Sequence, residues 1–219
     1  MNLLKAFLSA FEEKQNLVSA SKMKDYMRGQ FEYFGISSPV RRQIFKEVIV
    51  EYGMPETPIE VAKLLFSQPQ REFHYVGQEL LFKCKKQWKE HHIEDIEWFI
   101  TTNSWWDTVD FLASSVVGEY FKKWPEGKTE IISNWNQSEN MWLVRASIIF
   151  QLKYKTDVDK DLLESCIVPY TEDKEFFIRK AIGWSLRQYS RFNPEWVRDF
   201  VQRVQLQPLS EKEALRLMK

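Results

Sequence analysis

Apolar residues recur three and four positions apart along nearly the whole chain, which is the spacing that one face of an α-helix requires. The segment 2–15 is the first example of this pattern. Its apolar face comprises Leu3, Leu4, Phe7, Leu8 and Phe11. No run alternates between apolar and polar residues for long enough to predict a strand. The pattern therefore predicts an all-α protein.

Turn residues divide the pattern into separate helices. Ser38 followed by Pro39 predicts a helix with proline in its first turn, and Gly53 predicts the end of that helix. Between 58 and 218 we expect helices at about 58–66, 70–87, 93–101, 105–123, 127–135, 139–153, 159–168, 174–191, 194–205 and 211–218.

Two of these helices repeat the same residue pattern 34 positions apart. The segments 145-RASIIFQL-152 and 179-RKAIGWSL-186 both begin with arginine, followed by isoleucine and leucine at matching positions. Repeats of this length with two helices each predict an α-solenoid of HEAT-like helix pairs. We expect residues 1–219 to form a single solenoid domain, a curved array with a concave groove. An irregular helical bundle is the alternative.

The amino-acid composition excludes few classes of function. Lysine and arginine number 31, and so do aspartate and glutamate, so the net charge gives no support for a nucleic-acid partner. Cys84 and Cys166 lie far apart in sequence, which favours packed thiols in a reducing cytosol. The three histidines have no metal-ligand spacing, and no apolar run is long enough to cross a membrane. We therefore expect a cytoplasmic protein without a metal.

The stretch 103-NSWWDTVDFLASSVV-117 contains the strongest candidate for chemistry. Ser104 and Asp107 have the spacing of a capping box, which predicts a helix with Ser104 as its N-cap. Asp110 follows Trp106 by four positions, so both side chains lie on one face. Asp110 has no capping role, and it lies among apolar residues. It is either an exposed polar position or a functional carboxylate.

Arg145 is a plausible partner for Asp110. It follows the candidate cap Ser138 by seven positions, and Asp110 follows Ser104 by six. Equivalent helices of a solenoid lie side by side, so we expect these two charges to face each other. The alternative to a catalytic role is a buried ion pair that joins two repeats.

Five segments, in order between residues 26 and 216, resemble one known family. They are YMRGQFEYFGISSPVRR, NSWWDTVD, MWLVRASIIFQLKYK, FFIRKAIGWSLRQYS and LSEKEALR. Together they are similar to the bacterial DNA alkylation repair glycosylases of the AlkD type. The resemblance implies a HEAT-like solenoid that removes alkylated purines from duplex DNA in the bacterial cytosol and nucleoid. It also implies a monomer that needs no cofactor.

The resemblance also implies a set of site residues. The catalytic carboxylate falls on Asp110, the groove tryptophans on Trp106 and Trp184, and the catalytic-site arginine on Arg145. The implied DNA-binding residues are Tyr26, Ser37, Ser38, Arg42, Lys153 and Arg187. Ser37 departs from the family pattern, because a longer polar side chain is expected there.

The implied chemistry suits a single carboxylate. A purine alkylated at ring nitrogen 3 or 7 is already cationic, so it leaves without a general acid. An anion in a poorly solvated groove then stabilises the oxocarbenium-like sugar. Trp106 and Trp184 offer π faces to the cation, and Arg145 can hold a phosphate and keep Asp110 ionised. The resemblance implies recognition through the backbone and sugar, without a nucleobase pocket.

Two other functions remain open. The same scaffold can bind DNA structures without excising a base, and solenoids commonly bind other proteins. A carboxylate at Asp110 favours the enzyme over the DNA binder, since binding phosphates needs no anion. Lysines between 83 and 89 form a basic run that is either a solvated face or a DNA contact. Most of the remaining tryptophans are expected between helix pairs: Trp88, Trp98, Trp124, Trp135 and Trp196.

Overall fold

The computed structural model describes residues 2–218, and within them it contains helices and turns but no strand. Only an isolated bridge between Glu32 and Gln70 has β-type pairing in this part of the chain. The all-α prediction is confirmed. The chain divides into two compact units, the first ending at Lys89 and the second beginning at Glu90. The single-domain organisation stays a prediction, and each unit is described by itself.

Within residues 2–89, the first unit contains five α-helices. They are α1 (Asn2–Glu13), α2 (Leu17–Tyr26), α3 (Ser38–Tyr52), α4 (Pro58–Phe66) and α5 (Arg71–Lys83). Helix α4 packs along α5, and α1 packs on α3 and α4. The core is aromatic: the ring centroids of Phe11 and Phe73 lie 5.2 Å apart, edge to face. Because burying aromatic rings supplies much of a core's stabilisation, this cluster holds the unit together.

Helix α2 was not predicted, and its burial pattern explains why. None of its residues is buried, and Leu17 and Val18 are largely exposed. The helix begins because the side chain of Asn16 accepts a hydrogen bond from the backbone N–H of Ser19. A helix without a buried face lacks the periodicity on which sequence prediction relies.

A buried carboxylate fixes the segment between α2 and α3. Glu72 on α5 is 1% exposed and accepts backbone N–H groups from Phe34, Gly35 and Ile36 at 2.9–3.1 Å. Gly35 has φ of 84°, and a Cβ there would lie 2.1 Å from the carbonyl oxygen of Asn16. Only glycine fits this close approach.

The second unit is built around one central helix. Its helices are α6 (Ile93–Thr101), α7 (Trp106–Phe111), α8 (Gly118–Lys123), α9 (Lys128–Asn136), α10 (Met141–Ile149), α11 (Lys160–Ile167), α12 (Phe176–Tyr189), α13 (Pro194–Arg203) and α14 (Pro208–Ala214). Helix α10 contacts α6, α7, α9, α11 and α12. The two repeated sequence segments begin on α10 and α12, so the repeat corresponds to neighbouring packed helices.

Several predictions about individual side chains are confirmed. Cys84 and Cys166 are buried free thiols, and Trp88 and Trp135 are buried. The other three tryptophans assigned to helix interfaces are only half-buried; they are Trp98, Trp124 and Trp196. Among residues 2–218, no helix has both the length and the apolar character needed to span a membrane.

Replacing Glu72 with glutamine tests the buried carboxylate. An amide retains one acceptor oxygen and presents an N–H₂ group to the remaining backbone donors. We expect Glu72→Gln to lower the free energy of unfolding by about 1–3 kcal/mol, the cost of leaving buried polar groups unsatisfied. Urea denaturation followed by circular dichroism measures this change.

The matched control is Glu47→Gln, because Glu47 accepts an exposed hydrogen bond from Gln43. We expect its stability change to stay within about 0.5 kcal/mol. Equal effects of the two substitutions would contradict the role assigned to Glu72.

Candidate functional site

The helix that carries the candidate carboxylate begins differently from the prediction. The N-cap of α7 is Trp105, in an extended conformation. The hydroxyl of Ser104 donates to the carbonyl oxygen of Ile100 at 2.7 Å. The prediction of Ser104 as N-cap is therefore wrong, because its hydroxyl binds the end of the preceding helix instead. Asp107 does lie in the first turn of α7, where a negative charge is favourable.

A π-helical segment, Leu112–Val117, joins α7 to α8. It begins two residues after Asp110. The hydroxyl of Ser114 donates to the carbonyl oxygen of Asp110 at 2.7 Å, which satisfies an acceptor of the widened turn. Single π turns inside α-helices occur frequently at functional sites. This segment was not predicted, since the sequence continues with ordinary helical residues.

Asp110 and Arg145 form a bidentate ion pair, so the prediction that they face each other is confirmed. The Nε of Arg145 donates to Oδ1 of Asp110 at 2.7 Å, and Nη2 donates to Oδ2 at 3.0 Å. The Nη1 of Arg145 also donates to the carbonyl oxygen of Phe177. Arg145 thus connects α7, α10 and α12. Asn140 caps α10 by accepting from Trp142, and Ser138 is not the cap that the sequence predicted.

Burial is unequal within this pair. The side chain of Arg145 is 5% exposed and that of Asp110 is 20% exposed. Burial raises the pKa of Asp110, and the Arg145 guanidinium opposes this rise without cancelling it. Three N–H groups of Arg145 are already used inside the protein. The bidentate edge of Arg145 is occupied by the carboxylate, and a hold of this arginine on a phosphate stays a prediction.

The two predicted groove tryptophans lie on helices that Arg145 connects. Trp106 is the first residue of α7, Trp184 lies on α12, and both are half-buried. Sequence reasoning missed a second group formed by Trp105, Trp142 and Phe177. The Trp105 ring lies 5.7 Å from that of Trp142 and 5.3 Å from that of Phe177. The adjacent tryptophans in NSWWD were the sequence signal for this cluster. One of its members, Phe177, provides the carbonyl oxygen to which Arg145 donates.

The implied DNA-binding cations of the second unit already have internal partners. Lys153 donates to the hydroxyl of Ser115 at 2.6 Å, and burial lowers the pKa of this lysine. Arg187 pairs with Glu213, which also pairs with Lys180 at 2.9 Å. The charge of Arg187 is therefore largely neutralised within the protein.

The implied DNA-binding residues of the first unit are exposed. Tyr26, the last residue of α2, is 71% exposed. Ser37 is the N-cap of α3, makes no capping hydrogen bond with its side chain and is exposed. Ser38 begins α3, and Arg42 one turn later forms no ion pair within residues 2–218. A helix N-terminus of this kind favours a phosphate.

The basic run begins at the last residue of α5 and continues into a short 3₁₀ turn, which the indole of Trp88 anchors. Trp88 is buried and donates to the carbonyl oxygen of Leu81 at 3.2 Å. Lys83, Lys86 and Lys89 are exposed, as a solvated face requires. Among the described residues, no group of three His, Cys, Asp or Glu side chains is placed to hold a metal ion.

The paired helices and the ion pair at Asp110 define an α-helical repeat protein with a carboxylate site. The family model described as DNA alkylation repair enzyme matches residues 7–218, and the chain belongs to that family. A solved structure titled "Predicted DNA alkylation repair enzyme from Enterococcus faecalis" is similar at 30% identity and a TM-score of 0.86. The similarity covers 93% of this chain and 96% of that chain. Comparison with curated proteins finds no match.

Removing the arginine tests how strongly the pair holds the second unit. We expect Arg145→Leu to destabilise the protein by about 3–5 kcal/mol, because it leaves a buried carboxylate without its partner. Thermal and urea unfolding measure the loss.

Arg203→Leu is the matched control. Arg203 forms a similar bidentate pair with Glu164, at 2.7 and 2.9 Å, but the arginine is 56% exposed. An exposed pair contributes at most about 1 kcal/mol. If Arg145→Leu lowers the free energy of unfolding no more than Arg203→Leu does, burial does not make the Asp110–Arg145 pair more stabilising than an exposed pair.

Proposed function

We propose that this protein is a DNA glycosylase that hydrolyses the N-glycosidic bond of cationic purines alkylated at ring nitrogen 3 or 7. Its substrate is duplex DNA and its product is an abasic site. The observation that carries the proposal is the Asp110 carboxylate, held at both oxygens by Arg145 and still 20% exposed. Membership of the DNA alkylation repair enzyme family supports it.

In the proposed reaction, the positive charge of the alkylated purine makes it a good leaving group. The glycosidic bond breaks with its electrons passing to the purine, which leaves neutral, and positive charge develops on the sugar. The fixed carboxylate of Asp110 stabilises that charge, because a poorly solvated site screens it less than water does. Water then adds to the sugar carbon and releases a proton. One carboxylate is sufficient, unlike the pair that ordinary glycosidases use.

The role of Arg145 in this proposal is to position the carboxylate. A bidentate guanidinium fixes the plane of the Asp110 carboxylate. Each carboxylate oxygen has further acceptor capacity beyond its bond to Arg145. The exposed edge of Asp110 can therefore still face the sugar or the attacking water.

Trp106 and Trp184 contribute π faces in the same proposal. Both side chains are half-buried, so each ring has a face packed on protein and surface left for a ligand. Cation–π contact with the alkylated nucleoside stabilises it by about 0.5–2 kcal/mol per ring. A cationic lesion is favoured over an ordinary neutral purine by this contact.

The DNA backbone is proposed to bind at exposed side chains of the first unit. Ser37 and Ser38 lie at the N-terminus of α3, with Arg42 one turn later and Tyr26 at the end of α2. Lys153 and Arg187 are proposed to contribute in the second unit after exchange of their internal partners. We propose that the protein acts as a cytoplasmic monomer.

A second candidate function is DNA binding without excision. The observation that favours it is the pairing of both Asp110 oxygens with Arg145, which is also the geometry of a structural ion pair. The two functions differ in whether the negative charge of Asp110 matters for reaction.

The substitution Asp110→Asn removes that charge and keeps the size of the side chain. We expect excision to slow by roughly 10- to 1000-fold, the range for losing one preorganised electrostatic group. DNA binding should be kept or strengthened, because a charge that repels phosphates is lost. The assay is single-turnover conversion of methylated duplex DNA to abasic sites, resolved by strand cleavage on a gel.

Asp107→Asn is the control, since Asp107 lies one turn earlier in the first turn of α7. We expect a small loss of helix stability and a nearly unchanged rate. Equal rate losses would mean that the start of the helix matters rather than the carboxylate. A wild-type protein that binds DNA and produces no abasic sites would instead favour the second candidate.

Salt dependence tests the proposed phosphate contacts. Binding to duplex DNA should weaken steeply with salt because each contact releases counterions. Arg42→Gln should reduce the slope of log K against log salt by about one. Arg187→Gln should change it less, because Glu213 already neutralises that arginine. Fluorescence anisotropy across a salt series measures both slopes, and an unchanged slope for Arg42→Gln would exclude its contact.

A further inference from the structure

The last helix of the second unit, α14, places one carboxylate among three cations. The Nζ of Lys180 donates to Oε1 of Glu213 at 2.9 Å, and Nη1 of Arg187 donates to Oε2. The Nη1 of Arg216 lies 4.0 Å from the same Oε2. One negative charge does not neutralise three positive ones, so the cluster keeps an excess of positive charge. Only Arg187 of these residues was implied by the family resemblance.

Close packing of α14 on α12 holds the carboxylate in this position. Gly183 lies on α12 between the two cations of that helix, and a Cβ there would lie 2.5 Å from the Cβ of Glu213. It would also lie 2.9 Å from the carbonyl oxygen of Ser210. The hydroxyl of Ser210 donates to the carbonyl oxygen of Arg179 at 3.1 Å. A side chain at Gly183 would push α14 away, so the glycine permits the close approach.

The carboxylate is charged and its partners remain accessible. The hydrogen bond from Lys180 is the main cause of a lowered pKa for Glu213, so this side chain is an anion at neutral pH. The side chain of Glu213 is 15% exposed, that of Arg187 22% and that of Lys180 35%. An anion from solution can therefore reach the two cations once Glu213 turns away from them.

The two cations lie beside one of the proposed groove tryptophans. Trp184 follows Lys180 by four positions on α12 and precedes Arg187 by three. Residues at these spacings are neighbours on one helix face. In the proposed function Trp184 contacts the alkylated nucleoside, so a phosphate of the same strand passes next to this face. A phosphodiester presents two anionic oxygens, as a carboxylate does, and arginine binds both groups in the same bidentate way.

We infer that Lys180 and Arg187 form a phosphate-binding site that Glu213 occupies in the free protein. DNA binds there by exchanging one anion for another. Lys180 is thus a DNA-binding residue, and Glu213 is an intramolecular competitor of the phosphate. Because the exchange breaks an internal ion pair, DNA that makes further contacts elsewhere is favoured over an isolated phosphate. The inference rests on the proposed function only in taking DNA as the partner, and it does not require excision.

Glu213→Gln tests the competition, because the amide keeps the size of the side chain and removes the anion. We expect the full-length protein to bind an unmodified labelled duplex about tenfold more tightly near 0.1 M salt. One phosphate contact with a salt slope of about 0.9 gives roughly that factor. The slope of log K against log salt should steepen by about one to two. Fluorescence anisotropy across a salt series measures both quantities.

Glu164→Gln is the matched control. Glu164 pairs bidentately with Arg203, and the substitution changes the net charge by the same amount. These two residues lie on α11 and α13, which carry no residue of the proposed groove. We expect its affinity to change less than about twofold, as for an exposed charge outside the DNA contact. Equal gains in the two variants, or no gain in Glu213→Gln, would overturn the inference. Circular dichroism confirms that both variants fold.

Lys180→Gln tests the proposed contact in two backgrounds. In otherwise wild-type protein it removes a phosphate contact and also the ion pair that opposes binding, so affinity should fall by only about two- to fivefold. In the Glu213→Gln protein that pair is already absent, and the loss should reach about tenfold. Equal losses in both backgrounds would show that Glu213 does not compete at Lys180. An unchanged affinity in otherwise wild-type protein would overturn the site even if Glu213→Gln did not fold.

A separate excision assay on methylated duplex DNA distinguishes this inference from the proposed function. Absence of abasic sites would remove the glycosylase proposal and leave the affinity differences in place, which would support the phosphate site alone. Equal affinities of the wild type and Glu213→Gln would remove the phosphate site while excision stands. A wild-type protein that binds no duplex DNA at low salt would overturn both.

Discussion

The buried contact between Asp110 and Arg145 is the constraint on which the second unit depends. Removing two charges from water costs several kcal/mol per ion, and only good geometry with additional hydrogen bonds compensates for it. Arg145 meets that requirement with two bonds to the carboxylate and one to the Phe177 carbonyl. The central position of α10 follows from this, because one arginine must reach α7 and α12 together. A hydrophobic pair of similar volume is often no less stable than a buried ion pair, which is the physical argument for the chemical role proposed for Asp110.

Sequence periodicity was sufficient for most helices because they bury one face. It failed at α2, which buries no residue and is held by its Asn16 cap. The meeting of Asp110 with Arg145 was predicted by counting from candidate caps, and it holds with the observed caps because both residues lie five positions after them, at Trp105 and Asn140. The N-cap assignments were less reliable: Ser104 donates to the preceding helix, and the choice between two hydrogen-bond partners depends on tertiary geometry. The pKa of Asp110 likewise depends on how far burial outweighs the attraction of Arg145. That depends on the exposure of the side chain, which residue spacing does not reveal.

The balanced composition has a local explanation. Arg187, which the resemblance marks as DNA-binding, is paired internally with Glu213, and Lys128 is likewise paired with Asp159. Arg42 differs from them, since it is exposed at a helix start without an ion-pair partner in the described chain. Attraction for a polyanion therefore depends on where the unpaired cations lie more than on their total number. A net charge of zero is compatible with a locally positive surface.

The π segment between α7 and α8 has a consequence for helix register. Gly118 follows Asp110 by eight residues, and in a regular α-helix that spacing turns the two about 80° apart around the axis. A π turn takes up one additional residue and reduces the offset to about 20°. Asp110 can then meet Arg145 on α10 while the Gly118 carbonyl accepts from Tyr154, in the turn that follows α10, at 2.8 Å. Deleting one residue between 112 and 117 would restore the regular α-helical register. The helix could then form only one of these two contacts.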